Sequence, residues 1–195
     1  MDEPLAGLSP LVERALRVAA IAHRSQHRKA TAIPYIMHPF AVALILQRHG
    51  WTDDHVIVSA ILHDVVEDTD CTEAELSQQF PADVMLLVRT LSEQKTTSDG
   101  TPRGWEDRKR SHLAVLGSAP VEARAITLAD KLHNLESMRY DRDAGEEIWG
   151  RFNASRERIL WYHRAMVENC DHGEARIRSL VQAVNHAIQE LDEGQ

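Results

Sequence analysis

Residues 56–68 read Val56-Ile57-Val58-Ser59-Ala60-Ile61-Leu62-His63-Asp64-Val65-Val66-Glu67-Asp68. Just before them, Thr52-Asp53-Asp54 offers side-chain oxygens to cap a helix. The reading is one helix that carries Val56 to Asp64 and extends toward Asp68. Residues three and four apart share a helix face. His63 with Glu67, and Asp64 with both Glu67 and Asp68, then project toward one region. Four ionisable groups within about a turn, flanked by Ile61, Leu62, Val65 and Val66, form an unstable set on their own. Carboxylates in an apolar setting repel each other and resist ionising unless a cation compensates. A divalent metal is the economical explanation, and imidazole with carboxylate suits Mn, Fe, Zn or Co. His-Asp alone is a common dipeptide and would read as a solvated helix end. The neighbouring acidic pair and two further clusters, around His38 and Asp130, carry the case.

Outward from this stretch the chain reads as helix after helix. Ser9-Pro10 starts the first, with Leu11, Ala15, Leu16, Ala19 and Ala22 at helical spacing. His27–Tyr35 breaks the pattern as a loop. Pro39 starts the second, with Val42, Ile45 and Leu46 on one face, and Gly50 ends it. Thr72 with Glu75 forms a capping box ahead of another helix, and Pro81–Leu91 makes the next. Ser92–Gly104 is polar, holds Gly100, Pro102 and Gly104, and reads as a mobile flap. Helices follow over Trp105–Leu116, Val121–Tyr140, Ser155–Asn169 and Glu174–Leu191. Aromatics are only 5% of the 195 residues, so Leu, Ile, Val and Ala fill the core, which suits packed helices better than sheets. No repeat or domain boundary is evident, and the expectation is one domain over residues 1–195.

Charge and targeting narrow the function. The net charge of −8 is a poor match for duplex nucleic acid, whose binding rests on Lys and Arg. It is compatible with a small phosphorylated ligand in a local basic pocket. Met1–Gly7 lacks the basic-then-apolar pattern of a signal peptide, and runs such as Ala41–Leu46 are too short to span a bilayer. Cys71 and Cys170 show no pairing pattern and read as two unpaired thiols. These features point to a cytoplasmic protein. The C-terminal stripe Ile177, Leu180, Val181, Val184 and Ile188 fits either the core or an oligomer partner.

The other clusters share the same chemistry. Pro34-Tyr35-Ile36-Met37-His38-Pro39 sets His38 just before a helix start, where Pro39 restricts the backbone. Ala129-Asp130-Lys131-Leu132-His133-Asn134 sets Asp130 on an apolar face, with Asn134 one turn on. A carboxylate there needs a partner, either a metal or a cation such as Lys131. His133 is a second candidate ligand, less favourably placed. His23-Arg24-Ser25-Gln26-His27-Arg28-Lys29 is basic and suited to phosphate or to stacking on a base. Arg108-Lys109-Arg110 is a second basic run, equally readable as a solvated helix end.

The stretches AHRSQHRK (22–29), PYIMHP (34–39), ILHDVVEDTD (61–70) and LADKLHNL (128–135) resemble, in this order, the HD-superfamily phosphohydrolases. More narrowly, they resemble the (p)ppGpp hydrolase domain of the RelA/SpoT homologue family in its stand-alone form, the small alarmone hydrolases, over about residues 10–170. The resemblance implies an all-α bundle with the active site in a cleft between helices. It implies His38, His63, Asp64 and Asp130 as metal ligands, usually for Mn²⁺, and Glu67 and Asp68 as the catalytic acidic pair. Arg24, Arg28, Lys29 and Asn134 would contact the nucleotide. The implied reaction is metal-dependent release of pyrophosphate from the 3′ position, leaving GDP or GTP. The family's range also includes an adenine alarmone, (p)ppApp, or NADPH. An HD-type nucleoside monophosphate phosphatase and a non-catalytic nucleotide sensor are the competing classes. Where relatives usually carry Gly before Pro-Tyr, this chain has Ala30-Thr31-Ala32-Ile33. Where many carry Arg after the Asn, it has Glu136.

Overall fold

The computed structural model describes residues 7–97 and 99–193. Most of the N-terminal stretch assessed for a signal peptide, residues 1–6, lies outside the described residues. The described secondary structure is helical, with two isolated β-bridges, His27 to Pro34 and Thr96 to Pro102. The all-α expectation therefore holds. Two compact units follow each other along the chain, Met1–Ser92 and Glu93–Gln195.

The first unit holds α1 (Pro10–Ala22), α2 (Met37–Arg48), α3 (Asp54–Leu62), the short α4 (Val65–Asp68), α5 (Glu73–Ser77) and α6 (Ala82–Leu91). Ser9 caps α1 through its side chain, Asp53 caps α3, and Thr72 with Glu75 forms the expected capping box on α5. Gly50 follows α2 at φ +86°, a left-handed position that glycine adopts without a Cβ penalty. Every residue from Val56 to Leu62 is buried. Helices α1, α2 and α6 all pack against α3. A helix that is apolar all round is stable only when surrounded, and these three neighbours surround it.

Two boundaries beside His38 and His63 differ from the sequence reading. Helix α2 begins at Met37, two residues before Pro39. Proline costs nothing in a first turn, because the amides there have no intrahelical acceptor anyway. His38 thus sits inside the first turn of α2. The third helix does not continue to Asp68. It ends at Leu62, and Asp64 turns the chain at φ −98°, ψ −5° before α4 begins. The His63 Nδ1 lies 2.6 Å from the Ala60 carbonyl, an acceptor that an unbroken helix would offer to the Asp64 amide. The side chain takes the carbonyl and the ladder stops.

The second unit holds α7 (Trp105–Leu116), α8 (Val121–Asp143), α9 (Arg156–Cys170) and α10 (Arg178–Glu193), with 3₁₀ turns at Trp149–Arg151 and Ala175–Ile177. Helix α8 packs on α9 and α10, and α7 packs on α9. The stripe Leu180, Val181, Val184, Ala187, Ile188 and Leu191 is buried against this unit, so the C-terminal helix serves its own core. The 92–104 segment is tied back on itself: the Arg103 amide donates to the Lys95 carbonyl and the Thr97 amide to the Thr101 carbonyl, both at 2.9 Å. Cys71 and Cys170 are free thiols. Among the described residues no helix is long and apolar enough to cross a membrane.

Leu62 is completely buried at the end of α3. Replacing it with alanine removes its contacts and leaves a cavity, at a cost of about 2–5 kcal/mol. A Leu62→Ala variant is expected to unfold at a clearly lower urea midpoint than the wild type, with an unchanged slope.

Candidate active site and metal centre

In the first unit, the break after Leu62 aims three side chains at one another. His63 and His38 are buried, and their ligating nitrogens lie within 4.8 Å of each other. The Asp64 Oδ2 is 3.0 Å from His63 Nε2 and 3.6 Å from His38 Nε2. A carbonyl only accepts, so the Ala60 oxygen places the His63 proton on Nδ1. In its neutral form His63 would present an Nε2 lone pair to a carboxylate oxygen, which is repulsive. A cation between them removes the repulsion, and a histidine whose other nitrogen is fixed by a backbone carbonyl is the usual form of a metal ligand. The donor set of two imidazoles and a carboxylate fits a transition-metal ion. Glu67 and Asp68 follow on α4, half-buried, past the break at Asp64.

The basic segment 22–29 ends α1 and enters a closed turn. The Arg28 amide donates to the Ile33 carbonyl at 2.8 Å, and the Thr31 hydroxyl bonds the Arg28 carbonyl at 3.0 Å. Ala30 takes φ +59° here, a left-handed conformation that glycine adopts freely and alanine adopts with strain. Arg28 lies over the Tyr35 ring at 6.0 Å, and Lys29 is exposed. Arg24 is also exposed, with its guanidinium on the Ile21 carbonyl at 3.0 Å.

In the second unit, Asp130 is buried on α8 between two partners. Lys131 meets its Oδ2 at 2.5 Å and Asn134 donates to its Oδ1 at 2.7 Å. Burial opposes the Lys131 charge, but Asp130 outweighs it and raises the pKa. The salt bridge to Lys131 that the sequence allowed is thus formed. His133 is buried, its Nε2 3.4 Å from the Ser137 hydroxyl.

The second basic run is not a solvated helix end. Arg108 and Lys109 both pair with Glu93, whose side chain is 8% exposed. Lys109 also lies 4.7 Å over the Tyr162 ring, and the Tyr162 hydroxyl is 2.8 Å from His112 Nδ1. Burial acts against the Glu93 charge, yet Lys109 and Lys131 hold its carboxyl below the usual range. Sequence reasoning missed Glu93, His112, Tyr162 and His163. Only the helical spacing of Tyr162 and His163 among apolar residues hinted at burial, and nothing local marked Glu93.

A profile of the HD domain matches residues 15–158. The chain belongs to the HD-domain family. Within that family it is similar to the guanosine-3′,5′-bis(diphosphate) 3′-pyrophosphohydrolase MESH1 of Drosophila melanogaster, 36% identical over 132 residues, 67% of this chain and 70% of the relative. The Homo sapiens protein of the same name is 41% identical over 122 residues, 62% and 65% of the two chains. A probable GTP pyrophosphokinase of Mycobacterium leprae is 39% identical over 137 residues, 70% of this chain but 17% of that much longer protein. The solved structure described as a metazoan ortholog of SpoT that hydrolyzes ppGpp superposes with a TM-score of 0.80 at 28% identity, covering 95% of this chain and 97% of that one. An HD domain implies a divalent metal, and the His/Asp donors described above suit one.

The buried histidines of the second unit set a pH limit on this fold. Burial pushes His163 down to about 4, and burial with the nearby Lys131 charge does the same to His112. Unfolded histidine titrates near 6.5. Between about 6.5 and 4 the unfolded chain therefore binds protons that the folded chain does not, and stability falls as pH falls through that window. Urea midpoints measured at steps from pH 7 to pH 4.5 should decline, and the decline should be shallower in His163→Gln.

Proposed function

We propose that this chain is a 3′-pyrophosphohydrolase of (p)ppGpp, using a divalent metal, with Mn²⁺ as the working ion. The observation that carries it is the break at His63-Asp64, which presents imidazole and carboxylate to one point directly ahead of Glu67 and Asp68. Curated relatives named for this activity and the superposition on a ppGpp hydrolase support the substrate. His38, His63 and Asp64 would hold the metal, with Asp130 as fourth ligand by its place in the LADKLHNL stretch. The bound ion would supply an acidified water and polarise a phosphoryl oxygen. Glu67 and Asp68 are the groups to orient the water and to take and return its proton. Arg24, Arg28 and Lys29 on the first unit offset the charge of the substrate phosphates, as phosphoryl transfer requires. Arg28 over Tyr35 also leaves a planar guanidinium beside the turn, suited to a purine face. Asn134 is a nucleotide contact in this reading. The cytoplasm, where the nucleotide pool is found, is the proposed compartment.

Loss of the acid/base pair should separate chemistry from metal uptake. Glu67→Gln is expected to lower kcat by about 10²–10⁴-fold, with Mn²⁺ binding by calorimetry unchanged. Phosphorus NMR of the wild-type reaction should show pyrophosphate with GDP or GTP. Orthophosphate instead would favour a nucleoside monophosphate phosphatase. Turnover of (p)ppApp or NADPH but not (p)ppGpp would move the base specificity.

A further inference from the structure

The motif AHRSQHRK contains two residues that the proposed chemistry leaves unused, His23 and Gln26, and PYIMHP contains a third, Tyr35. All three meet in the first unit. The Tyr35 hydroxyl donates to Asp64 Oδ2 at 2.5 Å, the same oxygen that faces His63 and His38. The Tyr35 ring lies 4.8 Å from His23 and 5.6 Å from His38, and His38 lies 5.3 Å from His63. His23 is 1% exposed, so this row of rings is backed by protein. Its Nδ1 is 2.6 Å from the Gln26 side-chain oxygen. The Gln26 amide nitrogen donates in turn to the backbone carbonyl of Asp68, one of the last carbonyls of α4, which has no acceptor role inside the helix. The Gln26 backbone carbonyl also accepts the Tyr35 amide at 2.9 Å.

We infer that Tyr35 is a positioning residue for Asp64, held in place by His23 and Gln26. The physical reason lies in the carboxylate torsion. The χ2 of an aspartate is broad and nearly two-fold, so packing alone does not choose which oxygen points at a cation. An oxygen has two lone pairs. With one spent on the Tyr35 hydroxyl, the other is directed toward the two imidazoles. Hydrogen bonds of this kind to ligating carboxylates typically carry about 10–100-fold in metal affinity or activity. Gln26 adds a tie between the end of α1 and the end of α4, so the Asp64 oxygen and the Glu67-Asp68 segment are braced from the same turn.

The inference rests on the metal reading above, and the test separates the two. Calorimetric titration of the full chain with Mn²⁺ is compared for the wild type, Tyr35→Phe and Asp64→Asn, alongside melting temperatures without metal. Tyr35→Phe keeps the ring and its stacking and deletes only the hydroxyl. It is expected to melt within a few degrees of the wild type, to bind Mn²⁺ about 10–100-fold more weakly, and to regain most of its kcat at saturating Mn²⁺. Mn²⁺ affinity equal to the wild type overturns the positioning role while leaving the metal site intact. A kcat that stays low at saturating Mn²⁺, with a depressed melting temperature, also overturns it, since that pattern is structural damage. If the wild type takes up no Mn²⁺, or Asp64→Asn binds it equally well, the metal reading falls and the inference falls with it.

Discussion

The contact between Asp64 Oδ2 and His63 Nε2, at 3.0 Å, is the constraint around which the first unit is organised. It exists because the helix stops. Had α3 run on to Asp68, the Asp64 amide would have been spent on the Ala60 carbonyl and its side chain fixed about 100° around the axis from that of His63. Instead His63 claims the Ala60 carbonyl, Asp64 adopts a turn conformation, and its carboxylate swings toward the two imidazoles. Glu67 and Asp68 then fall on the separate short helix α4. One lost backbone bond thus brings a carboxylate to two imidazoles, with Glu67 and Asp68 following directly on α4.

Such an arrangement is expensive, and its support is visible in the packing. Helix α3 is buried from Val56 to Leu62, with α1, α2 and α6 against it. That rigidity fixes His63 at its end. Helix α2 brings His38 within its first turn, where Pro39 stiffens the backbone without costing a hydrogen bond. The turn at 28–33 closes the loop that precedes it, even at the cost of Ala30 in a left-handed conformation. The second unit applies a similar economy to Asp130. There a carboxylate on an apolar helix face is balanced by Lys131 and Asn134, and a further set of charges, Glu93 with Arg108 and Lys109, is satisfied internally.

A buried charge is stable only with a partner, and this rule explains why several residues carry roles in both structure and chemistry. Lys131 is both the ion-pair partner of Asp130 and a source of positive potential on His112 and Glu93. Tyr35 is both a ring packed on two histidines and a donor to Asp64. In each case the residue's own sequence neighbourhood gives little sign of the second role.

The sequence by itself determined the helical class, most helix starts and the identity of the chemistry. Capping at Ser9, Asp53 and Thr72 is local, as is the glycine after α2, so each could be read from a few adjacent residues. The run Val56–Leu62 announced a surrounded helix because no amphipathic face is left to solvent. The motifs holding His38, His63, Asp64, Glu67, Asp68 and Asp130 stood out because imidazole and carboxylate groups set among apolar residues call for a compensating charge. Only the tertiary structure decided how they are aimed. The stop at Leu62 depends on a side chain competing with the backbone for one carbonyl, which periodicity does not register. Tyr35 and Asp64 are 29 residues apart, and Glu93 and Lys109 are 16 apart. Hydrogen bonds over such separations follow from packing, and no local pattern encodes them.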